Sequence, residues 1–108
     1  MAQSSFQVQT YTYYNWSSRS TSKTNLILGG SSEQTCSVRF REDLNAVLPV
    51  ATQSGSYYSF FCHYNQLQHL INMLRNENPI YIYFNNDHGF NNSRISTASE
   101  PVGEEELN

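Results

Sequence analysis

The sequence predicts a mainly β fold of the α+β class, a small curled antiparallel sheet of five to six strands with one amphipathic helix. Apolar and polar side chains alternate with a period of two in several segments, which is the pattern of strands. Aromatic residues make up 14% of the chain and eight of them are Tyr, a residue type that favours strands. Only 14% of residues are charged, and the Asn, Gln, Ser and Thr that replace them disfavour long helices.

The first part of the chain is predicted to form three strands. Alternation from Phe6 to Trp16 predicts a long first strand. The polar stretch Ser17 to Thr24 has no period and is predicted to be a mobile loop. A short second strand follows at Asn25 to Leu28 and stops at Gly29-Gly30, and a third runs from Thr35 to Arg41.

The segment Glu42 to Gly55 carries no clear period, and Pro49 interrupts both helix and strand, so we predict it to be irregular. Ser56 to Tyr64 is predicted to be a fourth strand. Both of its faces are apolar: Tyr58, Phe60, Cys62 and Tyr64 face one way, and Tyr57, Phe61 and His63 the other. A strand that is covered on two faces usually lies inside a sheet.

One helix is predicted after this strand. Asn65 is placed as its N-cap, and Gln68 three residues later completes an amide form of the capping box. Apolar residues then recur at helical spacing: Leu67, Leu70, Ile71 and Leu74. The helix is expected to end near Asn76 to Asn78, because Pro79 disfavours helical geometry in the residue before it.

The remainder of the chain predicts a fifth strand at Ile80 to Phe84, a turn or hairpin tip at Asn85 to Ser93, and a last strand near Arg94 to Ala98. We expect residues 1–100 to form a single β-rich domain, since 108 residues suit one modest core. Residues 101–108 are expected to be an acidic flexible tail.

A single helix between the fourth and fifth strands suits a curled sheet that the helix plugs. An OB-like barrel is one arrangement of this kind. This chain has one strand more before its helix than that architecture usually has, which weakens the analogy.

Charge and cysteine content exclude several classes of function. The net charge is −3 with six Lys and Arg, so no global basic field attracts duplex DNA. No stretch approaches the ~18 apolar residues of a membrane span. Cys36 and Cys62 are too few for a disulfide framework and are predicted to be buried thiols. We therefore expect a soluble, cytoplasmic protein without a membrane partner.

No catalytic residue, metal site or cofactor is predicted. Catalysis requires a nucleophile, base or metal cluster within mutual reach. The candidates show no spacing that links them: His63, His69, His88, Cys36, Cys62, Asp43, Asp87 and Glu42. Cys62 and His63 are adjacent in a strand and so point to opposite faces. We therefore expect a protein that is not an enzyme.

Strand alternation divides the side chains of the sheet into two sets. The inward set is predicted to be apolar: Phe6, Val8, Cys36, Val38, Phe40, Ile80, Ile82 and Phe84. The outward set is predicted to bind a partner: Tyr11, Tyr13, Arg39, Arg41, Tyr81 and Tyr83. Exposed Tyr pairs also stabilise a sheet without any partner, by about 0.2–1 kcal/mol each.

This outward set predicts a non-enzymatic binding or assembly domain. Self-association into a homo-oligomer is the first interpretation, because Tyr and Arg are enriched in protein interfaces and a long first strand leaves an edge unpaired. Binding of single-stranded nucleic acid by an OB-like module is the second, since Tyr rings stack on bases and Arg pairs with phosphate. The third is a barrel that holds a small ligand among Tyr14, Trp16, Tyr58 and Tyr64.

Overall fold

The computed structural model describes residues 3–18, 23–85 and 92–97. These residues form a mainly β structure with eight strands in two sheets and one α-helix. In chain order the elements are β1 (Gln3–Gln7), β2 (Thr10–Asn15), β3 (Thr24–Gly29), β4 (Thr35–Arg41), β5 (Thr52–Ser54), β6 (Tyr57–His63), α1 (Leu67–Asn76), β7 (Ile80–Asn85) and β8 (Arg94–Thr97).

The strands are arranged in a three-stranded sheet of order β1-β7-β8 and a five-stranded sheet of order β2-β3-β4-β6-β5. Five of the six described strand pairs are antiparallel, as predicted, whereas β4 and β6 are parallel. Parallel neighbours need a crossover connection. The segment between β4 and β6 supplies it, and it also contains β5, a short strand in the region predicted to be irregular. β5 and β6 form a hairpin with Gly55 at φ +62° in its two-residue turn.

The first predicted strand is divided between the two sheets. β1 pairs with β7, and β2 pairs with β3. At the junction, Val8 N–H donates to the Ile80 carbonyl at 2.8 Å, whereas Gln9 N–H donates to the Gly29 carbonyl at 2.7 Å. Gly29 is also the register partner of Thr10, so two residues of one strand oppose one residue of the other, as in a β-bulge. The bulge bends the chain and reverses which residues face the core.

Two glycines allow the bent strand to approach closely. A Cβ atom on Gly30 would lie 2.7 Å from Cδ2 of Phe6, and a Cβ on Gly29 would lie 2.8 Å from Oγ1 of Thr10. Any larger residue at these positions must displace its neighbour. The Gly29-Gly30 pair therefore marks the point where the two sheets diverge.

A single apolar core lies between the sheets and the helix. Seven of the eight residues predicted to face inward are buried: Phe6, Cys36, Val38, Phe40, Ile80, Ile82 and Phe84. Val8 is partly buried against the same core. Helix α1 packs Leu70 and Ile71 onto this core. The inward prediction is thus confirmed where strand alternation is uninterrupted.

Tyr58 connects the two sheets. Its ring centroid lies 5.4 Å from that of Phe6 and 5.8 Å from that of Phe84. Its hydroxyl donates to Ser4 Oγ at 2.9 Å, and Ser4 Oγ donates to Gln53 Oε1 at 3.1 Å. These are side-chain contacts, and the backbone hydrogen bonds of the described strands do not close the two sheets into a barrel.

The predicted capping box is not formed. Asn65 lies in a 3₁₀ turn, Tyr64–Gln66, and Gln66 occupies the N-cap of α1 without a side-chain cap. Gln68 Nε2 donates instead to Asn72 Oδ1, one turn later. The turn tightens the end of β6 before the helix begins, so the cap position falls one residue after Asn65. The predicted end of the helix near Asn76 is confirmed.

Several predictions fall on parts of the chain that the structure does not describe. Residues 86–91 of the predicted hairpin tip, Ala98 and the acidic tail at 101–108 lie outside the described residues. The last strand is confirmed as β8. Among the described residues, α1 is too short and too polar to cross a bilayer.

Candidate functional site

The six residues predicted to form one surface lie on three different surfaces. Arg39 and Arg41 lie on the outer face of the five-stranded sheet. Tyr81 and Tyr83 are half-buried on the outer face of the three-stranded sheet. Prediction of one continuous patch from these residues is therefore wrong.

The two tyrosines of β2 face the core side of their sheet. Tyr11 is the register partner of Leu28 and packs against the core, and Tyr13 is the partner of Leu26. Paired residues of antiparallel strands point to the same face, and both leucines are buried. Tyr13 stays 51% exposed. The bulge at Gln9 is the cause, because one extra residue turns every later side chain of the strand to the opposite face.

The same reversal brings two other aromatic residues to the outer face. Tyr14 is 37% exposed and Trp16 is 45% exposed, and both lie near Arg39. Their rings meet edge to face, with centroids 5.3 Å apart and an interplanar angle of 86°. Alternation counted from Phe6 places both residues inside, so the sequence analysis assigned them to an interior ligand cavity and not to this outer face. The Gly29-Gly30 pair was a sequence sign of the bend, since such glycines often accompany a bulge.

These residues border an open concavity of about 460 Å³, which we name the aromatic–arginine cleft. Its lining residues are Tyr14, Trp16, Asn25, Ile27, Ser37, Arg39, Arg41 and Tyr57. They come from β2, β3, β4 and β6 and from the residue that follows β2. A volume of this size lies within the ~300–1,000 Å³ range of ligand sites in proteins.

The ladder register sets the geometry of the cleft. Tyr14 pairs with Asn25, and Asn25 pairs with Arg39, so these three side chains form a row across neighbouring strands. Two strand spacings place Tyr14 about 10 Å from Arg39 at the backbone. Trp16 lies beyond the row, and its backbone is held in place because the backbone N–H donates to the Lys23 carbonyl at 2.6 Å.

The end of this hairpin carries a further constraint. Thr24 Oγ1 donates to Asn15 Oδ1, which joins β2 to β3 through their side chains. Thr24 is buried and Asn15 is exposed, so this bond is partly shielded from water. Trp16 therefore follows a strand end that is held by both backbone and side-chain hydrogen bonds.

The two arginines differ in their surroundings. The Arg41 guanidinium lies over the Phe61 ring, 5.7 Å from its centroid, so its flat group is held against the sheet. Arg39 is exposed and makes no hydrogen bond, ion pair or ring contact with the part of the chain that the structure describes. Its guanidinium belongs to an exposed residue that lines the cleft.

Four of the nine acidic residues of the chain lie in the last nine positions of the sequence. Residues 1–99 contain six Lys and Arg against five Asp and Glu, whereas the last nine residues contain four Glu. Near the cleft, Glu42 Oε2 accepts a hydrogen bond from the Lys23 N–H at 3.3 Å. Residues 1–99 therefore carry a formal charge of +1, and the net charge of −3 arises from the last nine residues.

The floor of the cleft is polar. Asn25 is 7% exposed and lies between Tyr14 and Arg39 in the row. Ser37 is 3% exposed and lies two residues before Arg39 on β4. Rings at the rim can stack on flat groups, the guanidinium of Arg39 can pair with an anion, and amide and hydroxyl groups at the floor can form hydrogen bonds. This combination suits a ligand that is flat, polar and negatively charged.

A contrasting arrangement exists on the three-stranded sheet. The Arg94 guanidinium lies 4.3 Å from the centroid of the Tyr83 ring, so this cation is already engaged by an aromatic face. Tyr83 and its neighbour Tyr81 are half-buried. The outer face of the three-stranded sheet is therefore a weaker candidate for the binding surface.

The four residues predicted to line a small-ligand cavity do not lie around one cavity. Tyr58 is buried in the core, whereas Tyr14 and Trp16 lie outside it and Tyr64 is 43% exposed. A second cavity, between β6 and β8, has a volume of about 130 Å³. This is smaller than the ~300 Å³ at the low end of ligand sites.

The side chains considered for catalysis are dispersed. His63 Nε2 lies 2.8 Å from the Ala46 carbonyl, to which it donates in the tautomer with a proton on Nε2. The pKa of the Cys36 thiol is raised mainly by burial and to a smaller extent by the nearby Cys62. Burial also raises the pKa of the Cys62 thiol. Both thiols are held in the unreactive protonated form. His88 and Asp87 lie outside the described residues, and no metal-binding cluster of three His, Cys, Asp or Glu occurs within them.

The raised thiol pKa predicts a loss of stability at alkaline pH. The pKa of the Cys36 thiol is higher in the folded state than its unfolded value of about 8.5. Its contribution to stability is therefore fully present below about pH 8.5 and declines as the pH rises above that value. We expect the free energy of unfolding in urea to fall between pH 8 and 10, and to fall less in Cys36→Ala. An equal fall in both proteins would show that Cys36 is not the group responsible.

No family model, curated protein or solved structure matches this chain. The assignment of the cleft as the candidate site therefore depends on its geometry.

Proposed function

We propose that this chain is a non-enzymatic binding domain that holds single-stranded nucleic acid in the aromatic–arginine cleft. The observation that carries the proposal is the presence of three exposed rings, Tyr14, Trp16 and Tyr57, around an arginine without a partner among the described residues, Arg39. Exposed bases stack on such rings, and arginine pairs with phosphate.

A single strand fits this cleft better than a duplex does. The rings can stack only on base faces, and a duplex keeps those faces inside its own stack. Arg39 and Arg41 supply two charges at the cleft, whereas tight duplex binding neutralises about six to ten phosphates. The proposed ligand is therefore a short unpaired segment of a few nucleotides.

An OB-like architecture is part of this proposal. The described strands pack on one core, α1 packs on that core, and side chains of Tyr58 and Ser4 join the two sheets. OB-folds bind oligonucleotides on a sheet face of this kind. Cytoplasmic location is also proposed, since free thiols such as Cys36 suit a reducing compartment.

The test is a titration of a labelled oligothymidylate of about 12 nucleotides, followed by fluorescence anisotropy at low salt. Trp16 is the sole tryptophan of the chain, so its emission reports on the cleft alone. We expect a saturable rise in anisotropy with quenching of Trp16, and weaker binding of the same sequence as a duplex. Absence of any rise up to about 100 µM, the weak end of non-specific affinities, would overturn the proposal.

The salt dependence of this binding tests the role of the arginines. One phosphate contact to a single strand, made by Arg39, predicts a slope of about −0.7 for the logarithm of the binding constant against the logarithm of salt concentration. Arg39→Ala is expected to reduce the slope by about 0.7, because it removes one contact. An unchanged slope would show that Arg39 does not touch phosphate.

Self-association is the second candidate function, and the uncovered edge of β2 favours it. In the five-stranded sheet this strand has β3 on one side and no described strand on the other. Such edges pair readily with further strands. A mass measurement in solution tests this function independently of any nucleic acid.

A further inference from the structure

The strand β2 presents open hydrogen-bonding groups along its outer edge. Trp16 N–H donates to the Lys23 carbonyl, and donor positions alternate along an antiparallel ladder. Counting back from Trp16 in steps of two residues, the backbone N–H and C=O groups of Tyr14, Thr12 and Thr10 face β3. The backbone N–H and C=O groups of the intervening residues face away from β3: Tyr11, Tyr13 and Asn15. Three donors and three acceptors are thus directed along one edge.

Proteins usually protect such an edge, but in the part of the chain that the structure describes β2 has only the bulge at Gln9, which lies before its first residue. The strand Thr-Tyr-Thr-Tyr-Tyr-Asn contains no charged residue and no proline. Five of its six residues are exposed, including Tyr13 at 51%. By contrast, the edge strand β5 has three residues, and β8 has four and begins with Arg94. Short edges and charged edges are the features that discourage pairing.

The strand is also complementary to itself when it is paired antiparallel about Tyr13. That register places Tyr11 opposite Asn15 of the other copy, and Thr12 opposite Tyr14, while Tyr13 faces its own counterpart. All six open backbone groups of each strand then find partners. Aromatic rings across from each other, or across from a β-branched residue, are favourable cross-strand pairs.

We infer that two copies of this chain pair along β2, with a two-fold axis at Tyr13. This inference rests on the proposed self-association and adds its geometry. The two five-stranded sheets become one sheet of ten strands. Tyr13, which its own core leaves half-exposed, is covered by the same residue of the second copy. Both aromatic–arginine clefts lie on the same face of the joined sheet, on either side of the axis.

Light scattering coupled to size-exclusion chromatography tests the arrangement. The wild-type chain is expected to elute with twice its mass of 12.4 kDa. A lysine at position 13 of each copy places two like charges together at the axis, so Tyr13→Lys is expected to be monomeric. Thr52→Lys, which adds the same charge to the opposite edge of the sheet, is the matched control and is expected to remain dimeric.

Charge reversal identifies the register. Tyr13→Glu alone is expected to be monomeric, and an equimolar mixture of Tyr13→Lys and Tyr13→Glu is expected to recover the mass of a dimer. Circular dichroism of each variant confirms that it is folded. A monomeric wild type overturns the proposed self-association together with this inference. A dimeric wild type whose Tyr13 variants are folded and still dimeric, or are not restored by mixing, overturns the β2 arrangement alone.

Discussion

Replacement of Phe40 by alanine is expected to lower the free energy of unfolding by about 3–5 kcal/mol. Phe40 lies in β4, an inner strand of the five-stranded sheet, and its side chain is fully buried. Loss of its ring removes apolar contact area and leaves a cavity that strands on both sides of β4 keep open. A domain of this size is stabilised by about 5–15 kcal/mol in total, so the change is a large fraction.

Urea denaturation followed by circular dichroism measures this effect. Val47→Ala is the matched control, because Val47 is 94% exposed and its substitution removes no core contact. We expect the control to unfold with the wild type. A loss below about 1 kcal/mol for Phe40→Ala would mean that β4 does not lie at the centre of the core.

Replacement of Trp16 by alanine is expected to weaken oligonucleotide binding by roughly 5-fold to 150-fold. Removal of one stacked aromatic ring costs about 1–3 kcal/mol of binding free energy. Trp16 is 45% exposed and its ring contacts Tyr14 edge to face, so substitution leaves the core intact. The effect is therefore expected in affinity and not in folding.

Trp16→Phe is the conservative control for this substitution. It keeps a flat ring and is expected to retain most of the affinity, while thermal denaturation of both variants should match the wild type. Equal affinity of Trp16→Ala and wild type would remove the aromatic rim from the binding site. A parallel loss of thermal stability would show instead that Trp16 supports the hairpin.

Local alternation was sufficient to predict β4 and β7, and short apolar runs were sufficient to predict β3 and β6. The outward direction of Arg39 follows from its place between buried Val38 and Phe40. β5 was missed because its three residues, Thr-Gln-Ser, are all exposed and carry no apolar signal. The parallel pairing of β4 with β6 depends on the path of the intervening chain, which no local pattern records.

The cleft could be predicted only in part, because its aromatic rim depends on a contact between distant residues. The bulge at Gln9 exists because the strand changes partner from β7 to β3. Alternation counted through that point assigns Tyr11 and Tyr14 to the wrong faces. Tyr57 was assigned to the face opposite Tyr58, which the structure confirms, but no sequence pattern placed its strand β6 beside β4, which carries Arg39.

The location of the nucleic-acid-binding surface is tested most directly by replacing a tyrosine with alanine on each of the two sheets. Tyr57 lines the cleft, whereas Tyr81 lies on the outer face of the three-stranded sheet. In anisotropy titrations with the same oligothymidylate, Tyr57→Ala is expected to bind roughly 5-fold to 150-fold more weakly than wild type. Tyr81→Ala is expected to bind within about twofold of it. Weaker binding by Tyr81→Ala, with Tyr57→Ala unchanged, would contradict the assignment of function to the aromatic–arginine cleft.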